Sequence, residues 1–445
     1  MEFEALKSIL QKELTSRKVK EYEIYYSESE STSVETLNRE QNNFSTSHTG
    51  GISLRVLDGG KMGYASTELM TEEEMLSLVE RATKNAAATG KEDTVGIYGG
   101  GVYDNLAESD FTPLDTASLR ALALETADKL YAASPLVADG TATSANTVSI
   151  KHCLYNSHGV ALTAKGGINA FYMEAVARDG ERSESAYAVL EYGSHETDST
   201  VEKVVKEAET MLSAGLIPTG EYNLVINPKC MRSLLAAFSS SFSAKRAQMG
   251  MSRLKGKVGE KIASPLVTIT DDPMRKGATL PTTFDAEGVP THKRSVVDNG
   301  TLMTLLHNRE TAAKDGVETT ANASRASYSS PIGISPYSFA IEAGDKTLDE
   351  LYALSENGIL ITELKGLHAG ANPITGDFSI ESAGIRIKDG KLTDAVRSFT
   401  VAGNFFELLS SISALSDKVE FGISTSVTSF GAPAVLVKGV KVSGT

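Results

Sequence analysis

Apolar residues recur along the first part of the chain with spacings that switch between those of helices and those of strands. The first predicted element is an amphipathic helix with apolar residues three or four positions apart: Phe3, Leu6, Ile9, Leu10 and Leu14. Residues 21–38 alternate and are rich in β-branched and aromatic side chains, which predicts a pair of strands. Residues 51–67 predict two short strands joined at Asp58-Gly59, because glycine allows the positive φ of a tight hairpin.

The same alternation of helix and strand patterns divides the chain into three units. Thr71 and Glu74 match a capping box that opens a helix, and this helix completes a first α+β unit. Residues 90–112 are glycine-rich without periodicity and predict a linker. A second α+β unit runs from a helix after Asp115 to a charged helix that ends before Pro218. The predicted domains are therefore 1–90, 110–217 and 218–445.

The third unit is organised around one helix. Asn227 can cap it, Pro228 suits its first position, and apolar residues continue at helical spacing through Phe242. Turns at Asn299-Gly300 and Asp389-Gly390 favour antiparallel hairpins, with short helices predicted at 308–315, 348–355 and 404–415. The expected fold class is α+β: N-terminal α/β layers, then a large, mostly antiparallel β domain wrapped around a central helix.

Composition narrows the class of protein. The 445 residues carry a formal net charge of -14, which disfavours non-specific nucleic-acid binding. Two cysteines are too few for a disulfide framework or a cysteine-rich zinc site. The N-terminus has charges where a signal peptide needs an apolar core, so we expect a cytoplasmic protein. Against the acidic background, residues 245–261 form a basic segment that contains six Lys or Arg and one acid, Glu260.

Six stretches, in one order along the chain, together resemble the TldD/PmbA family, whose members are often called modulators of DNA gyrase. They are SLRVLDGGKMGYAST (53–67), KVGEKIASPLVTITDDP (257–273), FDAEGVPTHKRSVVDNGTL (284–302), NPITGDFSIESAGIRIKDGKL (372–392), VAGNFFELLSSISAL (401–415) and APAVLVKGVKVSG (432–444). The resemblance implies a two-subunit cytoplasmic peptidase that acts on unfolded peptides. It also implies that one subunit holds zinc through a His-Glu-x-x-x-His motif and a distant cysteine.

This chain departs from the family where the zinc motif falls. The positions that match the two histidines and the glutamate are Ala236, Ser241 and Ala237, and residues 421–433, where the late cysteine falls, contain none. A methyl group neither ligates zinc nor accepts a proton. The chain therefore resembles the PmbA (TldE-like) subunit. The resemblance implies no cofactor in this chain, zinc in a TldD-like partner, and unfolded peptides as substrates.

Polar residues near the expected cavity are candidates for a substrate groove: Arg246, Glu260, Asp271, Asp285, Glu287 and His292. Paired carboxylates can do acid–base work or hold a cation. The competing interpretation is that Asp-Asp-Pro and Asp-Ala-Glu-Gly are turns whose side chains bond local amides. Both interpretations stay open at the level of sequence.

Three functions remain compatible with the sequence. The first is a metal-free subunit that forms the substrate groove and the interface while a zinc-bearing partner hydrolyses the peptide. The second is a homodimeric peptide-binding or adaptor protein without catalysis. The third is a gyrase-linked regulator, which the net charge disfavours.

Overall fold

A computed structural model describes residues 3–105, 111–192, 197–424 and 426–445. Some positions used in the sequence analysis lie outside the described residues. They are 1, 2 and 110, at the predicted domain edges, and 425, within the stretch 421–433 where the late cysteine would fall. In the described ranges, no helix combines the length and the apolar character needed to cross a membrane.

The first half of the chain builds one six-stranded antiparallel sheet. Its strands are β1 (Glu21–Leu37), β2 (Glu40–Asp58), β3 (Lys61–Thr67), β4 (Ala142–Asn156), β5 (Ala161–Asp179) and β6 (Arg182–Glu191). Their order across the sheet is β3-β2-β1-β4-β5-β6. Because β1 pairs with β4, the first two sequence-predicted units share a single sheet.

Four helices cover one face of this sheet. They are α1 (Phe3–Ser16), α2 (Glu72–Ala88), α3 (Thr116–Ala133) and α4 (Thr197–Leu212). The predicted apolar stripe of α1 is confirmed, since Leu6, Leu10 and Leu14 are buried together with residues of α2, β1 and β2. Helices α3 and α4 bury a second cluster against the other end of the sheet.

The prediction of a strand pair at 21–38 is wrong. The structure has one continuous strand of 17 residues, β1. Its central Ser, Thr and Glu residues are partly buried or exposed, because this stretch lies between the two helix-covered clusters at either end of the strand.

The second half forms two further six-stranded sheets and one two-stranded sheet, which confirms the predicted β-rich, mostly antiparallel C-terminal domain. Its strands are β7 (Gly220–Ile226), β8 (Ile269–Asp271), β9 (Arg294–Asp298), β10 (Thr301–Leu302), β11 (Ala323–Ser324), β12 (Gly333–Ile334), β13 (Ser338–Ile341), β14 (Gly358–Lys365), β15 (Asp377–Lys388), β16 (Lys391–Asn404), β17 (Ile412–Leu415), β18 (Glu420–Phe421), β19 (Ser429–Ala432) and β20 (Val435–Ser443). One six-stranded sheet has the order β16-β15-β14-β7-β20-β17 and the other β10-β9-β8-β13-β19-β18, while β11 pairs with β12 alone. Pairing is antiparallel except for β7 with β14 and β13 with β19.

Six short helices interrupt these strands. They are α5 (Pro228–Phe238), α6 (Ala244–Gln248), α7 (Arg309–Asp315), α8 (Leu348–Ser355), α9 (Leu367–Gly370) and α10 (Phe405–Ser410). Helix α5 contacts β14 of one sheet and β19 of the other, so it lies between the two sheets in the largest apolar cluster. The predicted hairpin turns at 299–300 and 389–390 are confirmed, and both residues of each turn have positive φ.

The helix predicted at 404–415 is too long. It ends at Ser410, and Ile412–Leu415 instead pairs with β20 as strand β17. The hydroxyls of Ser410 and Ser411 donate to the carbonyl oxygens of Phe406 and Glu407. The β-branched Ile412 that follows favours the strand.

The free face of the N-terminal sheet packs on the C-terminal half. Tyr25, Leu154 and Ile168 of the sheet share a buried cluster with Leu280 and Phe284. Arg309 donates to the carbonyl oxygens of Val95 and Gly96, so the linker segment is bound to the C-terminal half by direct hydrogen bonds.

Helix α2 lies so close to β3 that only glycine fits at position 63. A Cβ at Gly63 would lie 2.0 Å from the carbonyl oxygen of Ala82 and 2.5 Å from the amide nitrogen of Ala86. We expect Gly63→Ala to lower the free energy of unfolding by about 3 kcal/mol, because the helix must move away from the sheet. Chemical denaturation measures the change.

Gly90→Ala is the matched control, since a Cβ there meets no atom within 4 Å. Equal stability of the two variants would contradict the close approach.

Candidate functional site

The segment matched to the family's zinc motif folds as a helix that stops earlier than predicted. Asn227 accepts a hydrogen bond from the Cys230 amide at 2.7 Å and caps α5. The helix ends at Phe238 and continues as a 3-10 turn over Ser239–Phe242. The Ser239 hydroxyl donates to the carbonyl oxygen of Ala236 at 2.8 Å. Serine side chains compete with helical hydrogen bonds in this way, which explains the early end of the helix.

The three matched positions present no metal-binding group. Ala236 and Ala237 are half-buried methyl groups at the end of α5, and Ser241 is fully buried. The Ser241 hydroxyl donates to the carbonyl oxygen of Pro373 at 2.6 Å. Its own carbonyl oxygen accepts from the Ser252 hydroxyl at 2.5 Å. Ser241 therefore joins two loops through its hydroxyl and its carbonyl oxygen.

An open cavity of about 420 Å³ lies beside Ser241. Its lining residues are Gly250, Ser252, Arg253, Ile374, Thr375 and Asp377. Arg253 crosses it and donates to the carbonyl oxygen of Thr375 at 3.2 Å. The hydrogen bond from Asn404 lowers the pKa of Asp377 below its ordinary value, so this carboxylate is charged at neutral pH. A larger depression of about 650 Å³, lined in part by Glu209 and Arg182, belongs to the N-terminal half and involves none of the predicted site residues.

The six groove candidates separate into two groups. Arg246 is half-buried on α6, Glu260 is exposed and pairs with Lys257 at 2.6 Å, and His292 is exposed with its Nδ1 3.6 Å from Asp104. Asp271, Asp285 and Glu287 are each at most 3% exposed. Their role in substrate binding stays a prediction, and the buried three belong to a polar cluster that the sequence did not reveal.

One short segment connects the buried carboxylates. Asn322 donates from Nδ2 to Asp271 at 2.7 Å, and the amide of the next residue, Ala323, donates to Asp285 at 3.1 Å. Two residues further on, Arg325 bonds to Glu23 on strand β1. Residues 322–325 thus join two carboxylates of the C-terminal half to one on the N-terminal sheet.

Arg325 is the centre of the contact with the N-terminal sheet. Its guanidinium also donates to the Ser53 hydroxyl at 3.0 Å and lies 4.3 Å from the centre of the Tyr25 ring. Arg55 adds a second cation 3.4 Å from Glu23. Arg325 and Glu23 are each 1% exposed by side chain, so the pair is closed off from water.

The surroundings of these groups shift their protonation. Burial raises the pKa of Asp271 to about 6, against the opposing hydrogen bonds from Asn322 and the Tyr337 amide. Burial, and then the charge of Glu287, raise the pKa of Asp285, although three backbone N–H groups bond to its carboxylate. Burial and the Arg325 charge lower the pKa of His152 to about 4, so this imidazole is neutral at neutral pH.

Sequence reasoning missed Glu23, Arg55, Asn322 and Arg325. Glu23 occupies an odd-numbered position of β1, where Glu21, Glu23 and Ser27 look like a solvent-facing side of the strand. The one available signal was Tyr25, a large aromatic residue on that same side. It indicates that the face is covered, but only the tertiary structure identifies the cover.

Three family models match this chain. They describe PmbA/TldA metallopeptidase domain 1 (residues 22–86), the central domain (109–213) and the C-terminal domain (219–444). The C-terminal match alone covers more than half of the chain. The chain belongs to the PmbA/TldD family.

Relatives and solved structures agree with this membership. A protein of Methanothermobacter thermautotrophicus named metalloprotease is 28% identical over 416 residues, which are 89% of each chain. A PmbA homologue of Haemophilus influenzae, also named metalloprotease, is 23% identical over 91% of this chain and 88% of its own. A Thermotoga maritima structure, described as a modulator of a DNA gyrase, superposes with a TM-score of 0.89 at 28% identity over 99% of this chain and 100% of its own. TldE from Thermococcus kodakarensis gives 0.83 at 25% identity with the same coverage.

The residues of this chain at the positions of the family's zinc motif, 236, 237 and 241, cannot hold the zinc ion that the name metallopeptidase implies. Zinc needs about three nitrogen, sulfur or carboxylate ligands, and two methyl groups with an engaged hydroxyl supply none. Within the described residues, three potential ligands come together only at Glu28, Glu30 and His48 on strands β1 and β2. There the His48 imidazole and the Glu28 carboxylate are hydrogen-bonded at 2.9 Å, which accounts for their proximity.

The buried pair between Arg325 and Glu23 should dominate the stability of the domain contact. We expect Arg325→Ala to lower the free energy of unfolding by about 3 kcal/mol, because it leaves the buried Glu23 carboxylate with only the longer contact to Arg55. Urea denaturation measures the loss. Arg81→Ala breaks an exposed pair with Glu74 and should cost less than about 1 kcal/mol. Equal effects of the two variants would refute this assignment.

Stability should also depend on the protonation of Asp271. Its pKa is higher in the folded chain, about 6, than its ordinary value of 3.8, so folding favours the protonated acid. The stabilisation that comes from the protonated Asp271 is fully present below pH 3.8 and is lost as pH rises through about 6. The loss in the free energy of unfolding is at most about 3 kcal/mol.

The substitution Asp271→Asn should remove this component of the pH dependence. The side-chain oxygen of the new Asn can still accept from the Tyr337 amide. The Asn322 side-chain oxygen accepts no hydrogen bond from the described residues. If the Asn322 amide flips, this oxygen can accept from the side-chain N–H of the new Asn. Denaturation curves at several pH values compare the two proteins. An unchanged pH profile in the variant would rule out Asp271 as the source.

Proposed function

We propose that this chain is the metal-free subunit of a PmbA/TldD-type peptidase that degrades unfolded peptides. It forms part of the substrate groove and of the subunit interface, while a zinc-bearing relative with an intact His-Glu-x-x-x-His motif hydrolyses the peptide. This chain then needs no cofactor of its own. The observation that carries the proposal is the chemistry of positions 236, 237 and 241: two methyl groups and a hydroxyl that is engaged by Pro373.

The cavity beside Ser241 supports a binding role. It is open, and its lining includes both a cation, Arg253, and a carboxylate, Asp377. Such a surface can hold the backbone and the side chains of an extended peptide. Lys255 and Lys257 of the basic segment are exposed and follow Arg253 closely in the chain, and their charges favour acidic peptides.

A homodimeric peptide-binding protein is the second candidate, because the same cavity needs no metal to bind a peptide. The T. maritima structure is described as a modulator of a DNA gyrase, and a gyrase-linked role is the third candidate. The net charge of -14 argues against direct nucleic-acid binding. The basic segment is the surface on which such a role would depend.

Metal analysis of this chain, and mixing of this chain with a zinc-bearing relative, test the proposed roles of the two subunits. We expect the purified full chain to contain no stoichiometric zinc and to leave an unfolded protein such as reduced casein intact. Addition of a zinc-bearing relative from the same cell should give a complex that cleaves casein faster than the relative alone. Mass spectrometry of bound metal and the release of peptides are the measurements.

The control is the same relative with its motif glutamate replaced by glutamine, which should bind this chain without cleaving casein. Stoichiometric zinc in this chain, or casein cleavage by this chain alone, would contradict the proposal. Failure to associate would leave the homodimeric candidate in its place.

A further inference from the structure

The guanidinium of Arg232, on α5, is largely buried and donates to no group of the described residues. Its side chain is 23% exposed. A guanidinium carries five N–H donors, and a charged group that loses contact with water needs partners for them. Among the described residues, the one carboxylate within 4.0 Å is that of Glu420, which is too distant for a hydrogen bond and is itself 62% exposed. The donors of Arg232 are therefore available to an anion that reaches this surface.

Burial disfavours a cation that has no close partner. It lowers the pKa of Arg232 below its ordinary value, against the opposing charge of Glu420. An arginine nevertheless stays protonated at neutral pH, so this surface presents a fixed positive charge. A bound carboxylate restores the hydrogen bonds that burial removes, because it accepts two parallel N–H groups of a guanidinium.

The surroundings of Arg232 position its charge. A Cβ at Gly422 would lie 3.1 Å from Nε of Arg232 and 3.8 Å from its Cζ, so the glycine lets the backbone after β18 approach the guanidinium. Lys229, three residues earlier on α5, lies 3.4 Å from the centre of the Tyr187 ring, which belongs to β6 and is 41% exposed. Residues three apart share a helix face. Two cations therefore lie together beside an exposed aromatic ring.

A neighbouring arginine is engaged within the chain, in contrast to Arg232. Arg275 lies 3.9 Å from the centre of the Phe421 ring on β18. It donates to the Ser338 hydroxyl at 3.1 Å and to the carbonyl oxygens of residues 276 and 277 at 3.0 and 3.1 Å. These contacts give Arg275 a structural role. Arg232 approaches the same short strand without any such acceptor.

Arg232 also lies next to both segments in which the sequence match places zinc ligands. It precedes Ala236 by one helical turn, so the two residues share a face of α5. Gly422 belongs to the stretch 421–433, where the late cysteine falls. A fixed cation therefore borders the altered motif positions. A guanidinium has no coordination site for water, so it can bind a peptide without activating water for hydrolysis.

We propose that Arg232 binds a carboxylate group of the unfolded peptide, with Lys229 as a second cation beside it. This inference rests on the proposed function, because it assigns one charged contact to the peptide that this chain binds there. The carboxylate belongs either to a Glu or Asp side chain or to the C-terminus of the peptide. Both sources offer the same pair of oxygens to a guanidinium.

Four short, unstructured peptides test the contact on the purified full chain. All have an acetylated N-terminus and the same apolar and serine residues. The central residue is glutamate or glutamine, and the C-terminus is free or amidated. Isothermal titration calorimetry measures each Kd. The wild type should bind peptides with the recognised carboxylate about tenfold more tightly than those without it. The central residue reports a side chain, and the amidation reports the C-terminus.

Two substitutions should change this preference in opposite directions. Arg232→Gln should abolish it and leave the affinity for the peptide without a carboxylate unchanged. Glu420→Gln should strengthen it, because a carboxylate that competes for the guanidinium is removed. Arg120→Gln, at an exposed position of α3, makes the same change of charge as Arg232→Gln and should bind as the wild type does. Thermal unfolding checks that each variant remains folded.

The outcomes separate this inference from the proposed function. An unchanged carboxylate preference in Arg232→Gln would overturn the inference, and so would a wild type that binds all four peptides equally. Weaker preference in Glu420→Gln would also overturn it, since Glu420 would then support the contact. In these cases peptides still bind, so the proposed function stands. A wild type that binds none of the peptides would overturn the inference together with the binding role in the proposed function.

Discussion

The contact between the two halves of this protein depends on a charge pair that is closed off from water. Arg325 reaches from the C-terminal half to Glu23 on the N-terminal sheet, and each side chain is 1% exposed. Burial of two charges costs several kcal/mol for each ion, so the contact persists only while both partners and their hydrogen bonds are in place. Ser53 and the Tyr25 ring also contact the guanidinium, while its Nε has no hydrogen-bond partner among the described residues. This arrangement specifies one relative placement of the halves.

The same segment also orders the interior of the C-terminal half. Asn322 and Ala323 donate to the buried carboxylates of Asp271 and Asp285, in addition to the backbone amides that already bond to them. The turn interpretation of Asp-Ala-Glu-Gly is correct in its geometry, because Asp285 accepts from the amides of Glu287 and Val289. The turn interpretation did not include burial, which raises the pKa of both Asp285 and Glu287. These acids are therefore structural groups in the folded chain, and their role toward a substrate stays a prediction.

The helix at 228–238 illustrates how a scaffold can persist while its chemistry changes. Its apolar stripe, including Leu234, Leu235 and Phe238, is buried between the two C-terminal sheets. Helix formation needs this stripe and the Asn227 cap, and it does not need any particular side chain at positions 236 or 237. The fold of the family can thus form around alanines at these positions, and the charged side chains of Arg253 and Asp377 line the neighbouring cavity.

The sequence alone determined the local elements, since periodicity, caps and Asn-Gly or Asp-Gly turns act within a few residues. It predicted α1 and α5 with their buried stripes, the hairpins at 299–300 and 389–390, and the α+β class with its family. Tertiary structure decided what depends on distant partners. It made 21–37 one strand, separated the C-terminal strands into two large sheets, and buried Glu23 beneath Arg325, 302 residues away in the chain. The physical reason is that a polar strand face is buried only if another part of the chain packs on it. For Glu23 that part is the segment around Arg325, which is distant in sequence.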